Sequence, residues 1–268
     1  MIPELEFTPA ESQSRTLEAG TLERATKLFN ASGCLHLKGI FPAEFIASLR
    51  EAYLSRYQSY FHAGEFDDAK PVGQGRFQIA VEFSAPFNAP QLYAHPLILP
   101  ILHSLLGSNL FLGIFGSVTS LPGAAAQHRH RDNPLLFSPQ INRFLPPFAI
   151  NLFVPLVDFN ERTGTTRLFP GTHVKSGEDS ERAEGFDPTV PCGSCLLVDY
   201  RLFHQGAANL SEAIRPLLFL AYHRPWFKDY HNHKAWPFLR MSDAAYADIP
   251  AEYRSLFSWV EHYRIGLY

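Results

Sequence analysis

In the run Ala126-Gln127-His128-Arg129-His130-Arg131-Asp132-Asn133-Pro134, two histidines and a carboxylate occupy alternate positions before a proline. In extended backbone, residues two apart point the same way. His130 and Asp132 therefore present an imidazole and a carboxylate to one side. With one more histidine, such a pair forms the 2-His-1-carboxylate face that holds non-haem Fe(II) and leaves coordination positions open. His128 shares that side, but roughly 13 Å of strand separates it from Asp132. His130 and Asp132 lie only about 7 Å apart along the strand, a gap that leaning side chains close. Pairing His128 with His130 stays open, at the cost of leaving Asp132 idle.

A second stretch, Leu196-Leu197-Val198-Asp199-Tyr200-Arg201-Leu202-Phe203-His204-Gln205-Gly206, offers the third ligand, His204. A polar turn follows, and then Arg215 opens the apolar run Pro216-Leu217-Leu218-Phe219-Leu220-Ala221-Tyr222. The pattern reads as a hairpin that sets His204 beside Arg215 at its closed end. A buried guanidinium needs an anion, and its planar fork suits a carboxylate. Asp199 and Glu212 are the internal candidates. The alternative is a bound dicarboxylate such as 2-oxoglutarate.

The elements that must position these residues follow from pattern. Thr21 to Phe29 reads as a helix ending at Asn30 and Gly33. Residues 34–40 read as a short strand, and Pro42 opens a second helix. Residues 64–76 read as a loop that could serve as a lid. Pro96 to Leu106 is helical by spacing, and residues 109–120 are β-rich. Strand signals follow at 124–132, 148–157, 166–169, 194–200 and 215–222. Helices first and then strands without βαβ alternation predict an α+β fold: an antiparallel double sheet, jelly-roll or cupin-like, with helices backing one sheet.

One domain spans the 268 residues: an N-terminal arm and helix to residue 30, a core over about 31–230, and a helical tail over 231–268. A net charge of −3 gives no basic field for nucleic acid or anionic lipid. No apolar run is long enough to cross a membrane and no signal peptide is visible, so a cytoplasmic location is expected. Cys192 and Cys195 form a lone C-x-x-C with no second pair for zinc, so free thiols are expected there. The partner is expected to be a small-molecule substrate.

The blocks together resemble the phytanoyl-CoA dioxygenase family of Fe(II)/2-oxoglutarate oxygenases. Gln-x-x-His-x-Asp occurs as Gln127, His130 and Asp132. The middle block occurs as Val154-Pro155-Leu156-Val157-Asp158, Gly164-Thr165-Thr166 and Pro170-Gly171-Thr172-His173. The last occurs as His204-Gln205-Gly206, Asn209-Leu210-Ser211 and Arg215. It runs on into Tyr222-His223-Arg224-Pro225-Trp226-Phe227, similar to the bacterial and fungal members that tailor small molecules.

The resemblance implies a double-stranded β-helix core, with His130, Asp132 and His204 on iron and Arg215 clamping 2-oxoglutarate. It also implies Gln127 and Thr166 as further contacts to 2-oxoglutarate, with O2 as co-substrate. His173 is read as a structural turn residue. Arg129, where the family pattern often has an aromatic, implies a more basic mouth. The implied reaction is hydroxylation, desaturation or ring formation, with succinate and CO2 released. The competing readings are an acyl-CoA hydroxylase of the same family, or a cupin-like protein that binds a metal or small acid without turnover.

Overall fold

Segments such as Ala149-Ile150-Asn151-Leu152-Phe153-Val154-Pro155 are apolar at nearly every position, the pattern of a strand covered on both faces. The structure is a computed structural model that describes residues 1–62, 68–229, 231–232 and 239–260. In chain order the strands are β1 (Glu4–Leu5), β2 (Cys34–Leu37), β3 (Ala69–Pro71), β4 (Arg76–Ala80), β5 (Phe111–Ser120), β6 (Ala149–Pro155), β7 (Thr166–Leu168), β8 (Cys195–Asp199), β9 (His204–Gly206) and β10 (Arg215–His223). The helices that pack on them are α1 (Pro9–Ser14), α2 (Ala19–Ser32), α3 (Ala43–Arg56), α4 (Pro90–Tyr93) and α5 (Leu99–Leu106).

Eight strands form one sheet in the order β1-β2-β8-β6-β10-β5-β4-β3, and β7 and β9 form a second. All neighbours are antiparallel except β1 and β2. The two facing sheets make a jelly-roll α+β architecture that does not close into a barrel.

Alternation along each strand explains the continuous apolar runs. Ile150, Leu152, Val154, Leu218 and Leu220 turn to the helices and pack with Phe29, Leu49 and Leu102. Phe153, Leu196, Val198, Leu217 and Phe219 turn the other way, toward Leu168 and Leu202 from the small sheet's side. The helices thus back one face of the large sheet, and the site lies on the other.

Three expectations change. Residues 124–132 are extended but are no regular strand. Their backbone N–H groups bond in succession to Gly206 O (from Gln127, 2.9 Å), His204 O (from His130, 2.9 Å) and Tyr200 O (from Asp132, 3.1 Å). A segment shared between β9 and the end of β8 cannot keep one ladder. Next, β9 and β10 form no hairpin: β9 pairs with β7, and β10 with β5 and β6. The Asn209 amide explains this, since it donates to Ser120 O and Leu121 O at 3.2 Å and to Ala213 O at 2.8 Å. It ties the connection to the end of β5, so the chain crosses between sheets. Finally, part of the expected loop over 64–76 is strand, because β3 and β4 extend the large sheet. The lid expected there falls partly on residues 63–67, which lie outside the described residues. In the span expected to form a helical tail, short helices lie at Asp243–Ala247 and Ala251–Phe257, while 233–238 and 261–268 lie outside the described residues.

Asp199 is taken by Arg201, with Nη2 to Oδ2 at 2.7 Å and both side chains 1% exposed. Arg201 also donates to Leu145 O at 2.9 Å. Removing one member of a buried pair strands the other charge, at a cost of about 3–5 kcal/mol. Arg201→Met is expected to lower the urea midpoint by that equivalent. An unchanged midpoint contradicts the assignment.

Candidate active site

His130 and His204 face each other as an antiparallel bridge, with His130 N to His204 O at 2.9 Å and His204 N to His130 O at 2.8 Å. Directly opposed residues in such a bridge project to the same side, and the two ring centroids lie 4.5 Å apart. Two residues on, Asp132 projects from the same segment, and its Oδ1 is 3.6 Å from His204 Nε2. The candidate donor atoms of His130, Asp132 and His204 all lie within 4.8 Å of one another. Donors that each bond one metal at about 2.0–2.2 Å lie no more than about 4.4 Å apart, a spacing this set reaches with small side-chain adjustments. The set therefore fits a single ion.

Both rings are oriented for that task. Each Nδ1 faces a backbone carbonyl, His128 O for His130 at 2.9 Å and Leu202 O for His204 at 3.1 Å. A carbonyl can only accept, so Nδ1 is the donor in each ring, and the tautomer this selects in a neutral ring leaves the Nε2 lone pair available to a metal. Burial, reinforced by neighbouring His204, pushes the His130 imidazole down to about 4. It is neutral, and so a competent donor, at physiological pH. Asp132 Oδ2 accepts from Asn151 Nδ2 at 2.7 Å. The side-chain amide of Asn232 donates to the Asp132 backbone oxygen.

Arg215 lies at the other end of the cavity and is 4% exposed. It pairs with neither Asp199 nor Glu212. Its Nη1 donates to Thr163 O (3.1 Å) and Ala207 O (3.2 Å), and its Nη2 to Ser120 Oγ (2.9 Å). A second guanidinium stands beside it. Cross-strand register aligns Arg76 on β4 with Ser120 on β5, and Ser120 with Arg215 on β10. Arg76 Nη2 shares the Ala207 carbonyl at 2.8 Å, while its Nε is buried with no hydrogen-bond partner among the described residues. Burial pulls Arg215 down to about 9 and Arg76 to about 10, so both remain cations at neutral pH.

Arg76 was missed in the sequence because it follows Gly73-Gln74-Gly75 in what reads as a loop. Two glycines make room for the pair. A Cβ on Gly206 would collide with Arg76 Nη1, and one on Gly164, at φ +78°, would collide with Arg215 Nη1 and Ala208 O. The short blocks His204-Gln205-Gly206 and Gly164-Thr165-Thr166 therefore each need their glycine.

Arg76, Gln127, His130, Asp132, Asn151, Thr166, His204 and Arg215 all line one cavity of about 520 Å3. That volume is within the usual range for a small-molecule site, about 300–1,000 Å3. Gln127 is occupied at both ends by backbone, with its Nε2 on Val72 O at 2.7 Å and its Oε1 accepting from Gly206 N at 2.9 Å. Thr166 is buried on the cavity wall. His128 also lines the cavity but stays outside the three-donor group.

Arg129 does not make the mouth basic. It lies over the Phe169 and Phe203 rings at 3.9 and 4.6 Å and donates to the Glu181 carbonyl at 2.8 Å. His173 hydrogen-bonds Asn30 O at 3.1 Å, as a structural turn residue should. The cysteines are free, and burial pushes the Cys192 thiol up to about 11, so it is not a ready ligand.

This geometry has relatives. The phytanoyl-CoA dioxygenase (PhyH) family profile matches residues 29–217. The chain belongs to that family. The dioxygenase aneA of Aspergillus aculeatus is 29% identical over 160 residues, which is 56% of this chain and 53% of the relative. The chain thus spans about half the length of that curated relative. Among solved structures, the non-haem α-ketoglutarate-dependent epimerase SnoN from nogalamycin biosynthesis superposes with a TM-score of 0.60 at 20% identity, over 77% of this chain and 84% of that one. The carbocyclase SnoK from the same biosynthesis superposes with a TM-score of 0.61 at 17% identity, over 84% and 94%. At these identities the PhyH member shares their fold. No helix among the described residues is long and apolar enough to cross a membrane.

Gly206→Ala crowds Arg76 Nη1 and Gln127 Oε1, and overpacking of this kind costs about 1–3 kcal/mol. The variant is expected to stay folded with a lowered melting temperature. A melting temperature equal to wild type shows that Arg76 yields freely and is not held in place.

Proposed function

We propose that this PhyH-family protein is a non-haem Fe(II)/2-oxoglutarate-dependent oxygenase that oxidises a C–H bond of a small organic substrate. The observation that carries the reading is one of placement. Two imidazoles and a carboxylate converge within 4.8 Å, in the same cavity as two buried guanidiniums that have no carboxylate partner among the described residues. The first set suits iron with open positions, and the second suits a dicarboxylate.

In this reading His130, Asp132 and His204 hold the metal. Arg215, held by Ser120, receives the far carboxylate of 2-oxoglutarate, with Thr166 lining the same cavity. Gln127 holds the wall by tying Val72 to Gly206, and Arg76 adds positive charge to the same end of the cavity. Bound there, iron, 2-oxoglutarate and O2 supply the oxidising chemistry, in which succinate and CO2 are released as a substrate C–H bond is broken. The protein's own contribution is to fix the donors, neutralise the cosubstrate's charge and keep the apolar wall of Phe153, Leu217 and Phe219 dry around it.

Asp132 fills the carboxylate position and leaves no place for a halide, so hydroxylation, desaturation or ring formation is the expected outcome. The names of SnoN and SnoK, an epimerase and a carbocyclase, illustrate how outcomes vary on this fold. The substrate is proposed to be a free small molecule of the kind such tailoring enzymes modify.

The test is binding and turnover. Arg215→Ala removes a charge-assisted pair worth about 1.5–3 kcal/mol, a roughly 10- to 150-fold weaker affinity for 2-oxoglutarate. Calorimetry that finds an unchanged affinity moves the anchor elsewhere. Asp132→Ala is expected to abolish iron-dependent formation of succinate from 2-oxoglutarate. Retained succinate formation rules out Asp132 as a ligand.

A further inference from the structure

Asn151 stands out in the middle of β6. Side chains on the inner face of the large sheet fall into rows set by strand register. The row through Asn151 contains Ala221 on β10 and Val198 on β8, both fully buried and apolar. Asn151 itself is 3% exposed. An amide buried between two apolar neighbours costs free energy unless a partner compensates, and an apolar side chain of similar size would pack there without that cost. Its partner is the carboxylate facing it from the opposite wall, with Nδ2 donating to Asp132 Oδ2 at 2.7 Å. The amide's own Oδ1 is buried with no hydrogen-bond partner among the described residues. The single bond to Asp132 is therefore what the amide contributes.

We propose that Asn151 is a positioning residue that holds Asp132 to one ligand oxygen. It engages Oδ2 and leaves Oδ1, 3.6 Å from His204 Nε2, to face the metal position. This rests on the metal role proposed above for His130, Asp132 and His204. It extends that role to a residue on β6 of the large sheet, so Asp132 is held at its side chain as well as at its backbone. The Asn232 amide and the Tyr200 carbonyl grip its backbone, and Asn151 sets the rotation of its side chain. With Oδ2 committed to the amide donor, Asp132 binds through its other oxygen. A second coordination position then stays open instead of being closed by a bidentate carboxylate. Outer partners of this kind orient metal ligands and are typically worth roughly 10- to 100-fold in metal affinity.

The test measures metal binding, independent of turnover. Co(II) is titrated anaerobically into wild type, Asn151→Leu and Asn151→Ser, with the visible Co(II) spectrum reporting coordination and thermal melting of the metal-free protein reporting fold. The proposal predicts that Asn151→Leu is folded, with a metal-free melting temperature at or above wild type. It also predicts Co(II) affinity reduced roughly 10- to 100-fold, with a changed Co(II) spectrum. If the leucine variant does not fold, Asn151→Ser, which lacks the reach to Oδ2 and crowds nothing, is read for the same loss. Unchanged affinity and spectrum in a folded variant overturn the role, and so does failure of both variants to fold, which makes Asn151 purely structural. Wild-type protein that binds no Co(II) contradicts the metal site itself. Wild type that binds Co(II) as tightly as the folded variant contradicts the Asn151 role alone.

Discussion

The reciprocal pair of backbone hydrogen bonds between His130 and His204 is the interaction on which the site depends. The two residues are 74 positions apart and sit on separate segments, and neither side chain can reach the other unless the backbones are locked in register. The 2.9 and 2.8 Å bonds do this with groups that every residue carries, so the imidazoles meet whatever ligand is bound. The same segment then bonds to Tyr200 at the end of β8, which delivers Asp132 to the same point. Bonds from each Nδ1 to a carbonyl finish the arrangement by choosing the tautomer. A site preorganised in this way loses little freedom when an ion binds.

The cationic end is built on a different principle. Two guanidiniums are buried side by side and held by carbonyls and a hydroxyl, not by a carboxylate among the described residues. Such an arrangement is repulsive and poorly solvated, and a bound dianion relieves it. The large sheet makes the placement rigid, because Arg76, Ser120 and Arg215 lie on three hydrogen-bonded strands in one row. Position along those strands orders the chemistry: charge at Arg215, apolar wall at Leu217 and Phe219, and the Asn151 contact to Asp132 one row further.

Much of this was legible in residue type and spacing. His130, Asp132 and His204 lie close together and Arg215 lines the same cavity, and the helices back one sheet as the run of elements predicts. What spacing could not give was the route of the chain. His204 and Arg215 look like the ends of a hairpin, yet the Asn209 amide ties their connection to the end of β5 and they lie in different sheets, with Arg215 reaching back to Ala207 O just past β9. Arg76 follows two glycines and reads as loop, because the burial that gives it meaning comes from strands more than 40 and 130 residues away. Arg129 alternates with the histidines and so points the other way, onto Phe169 and Phe203. The alternation that placed His130 and Asp132 together also predicts this turn away from the mouth. Asn151 carried a readable signal, a lone amide in the apolar run 149–155, but its partner could be found only across the cavity.

A crystal structure of the protein grown anaerobically with Fe(II) and 2-oxoglutarate, with the metal located by anomalous scattering, tests the account most directly. The account predicts one ion about 2.0–2.2 Å from His130 Nε2, His204 Nε2 and a single oxygen of Asp132, with the far carboxylate of 2-oxoglutarate on Arg215. An ion bound elsewhere, or one that leaves out His204 or Asp132, would contradict it.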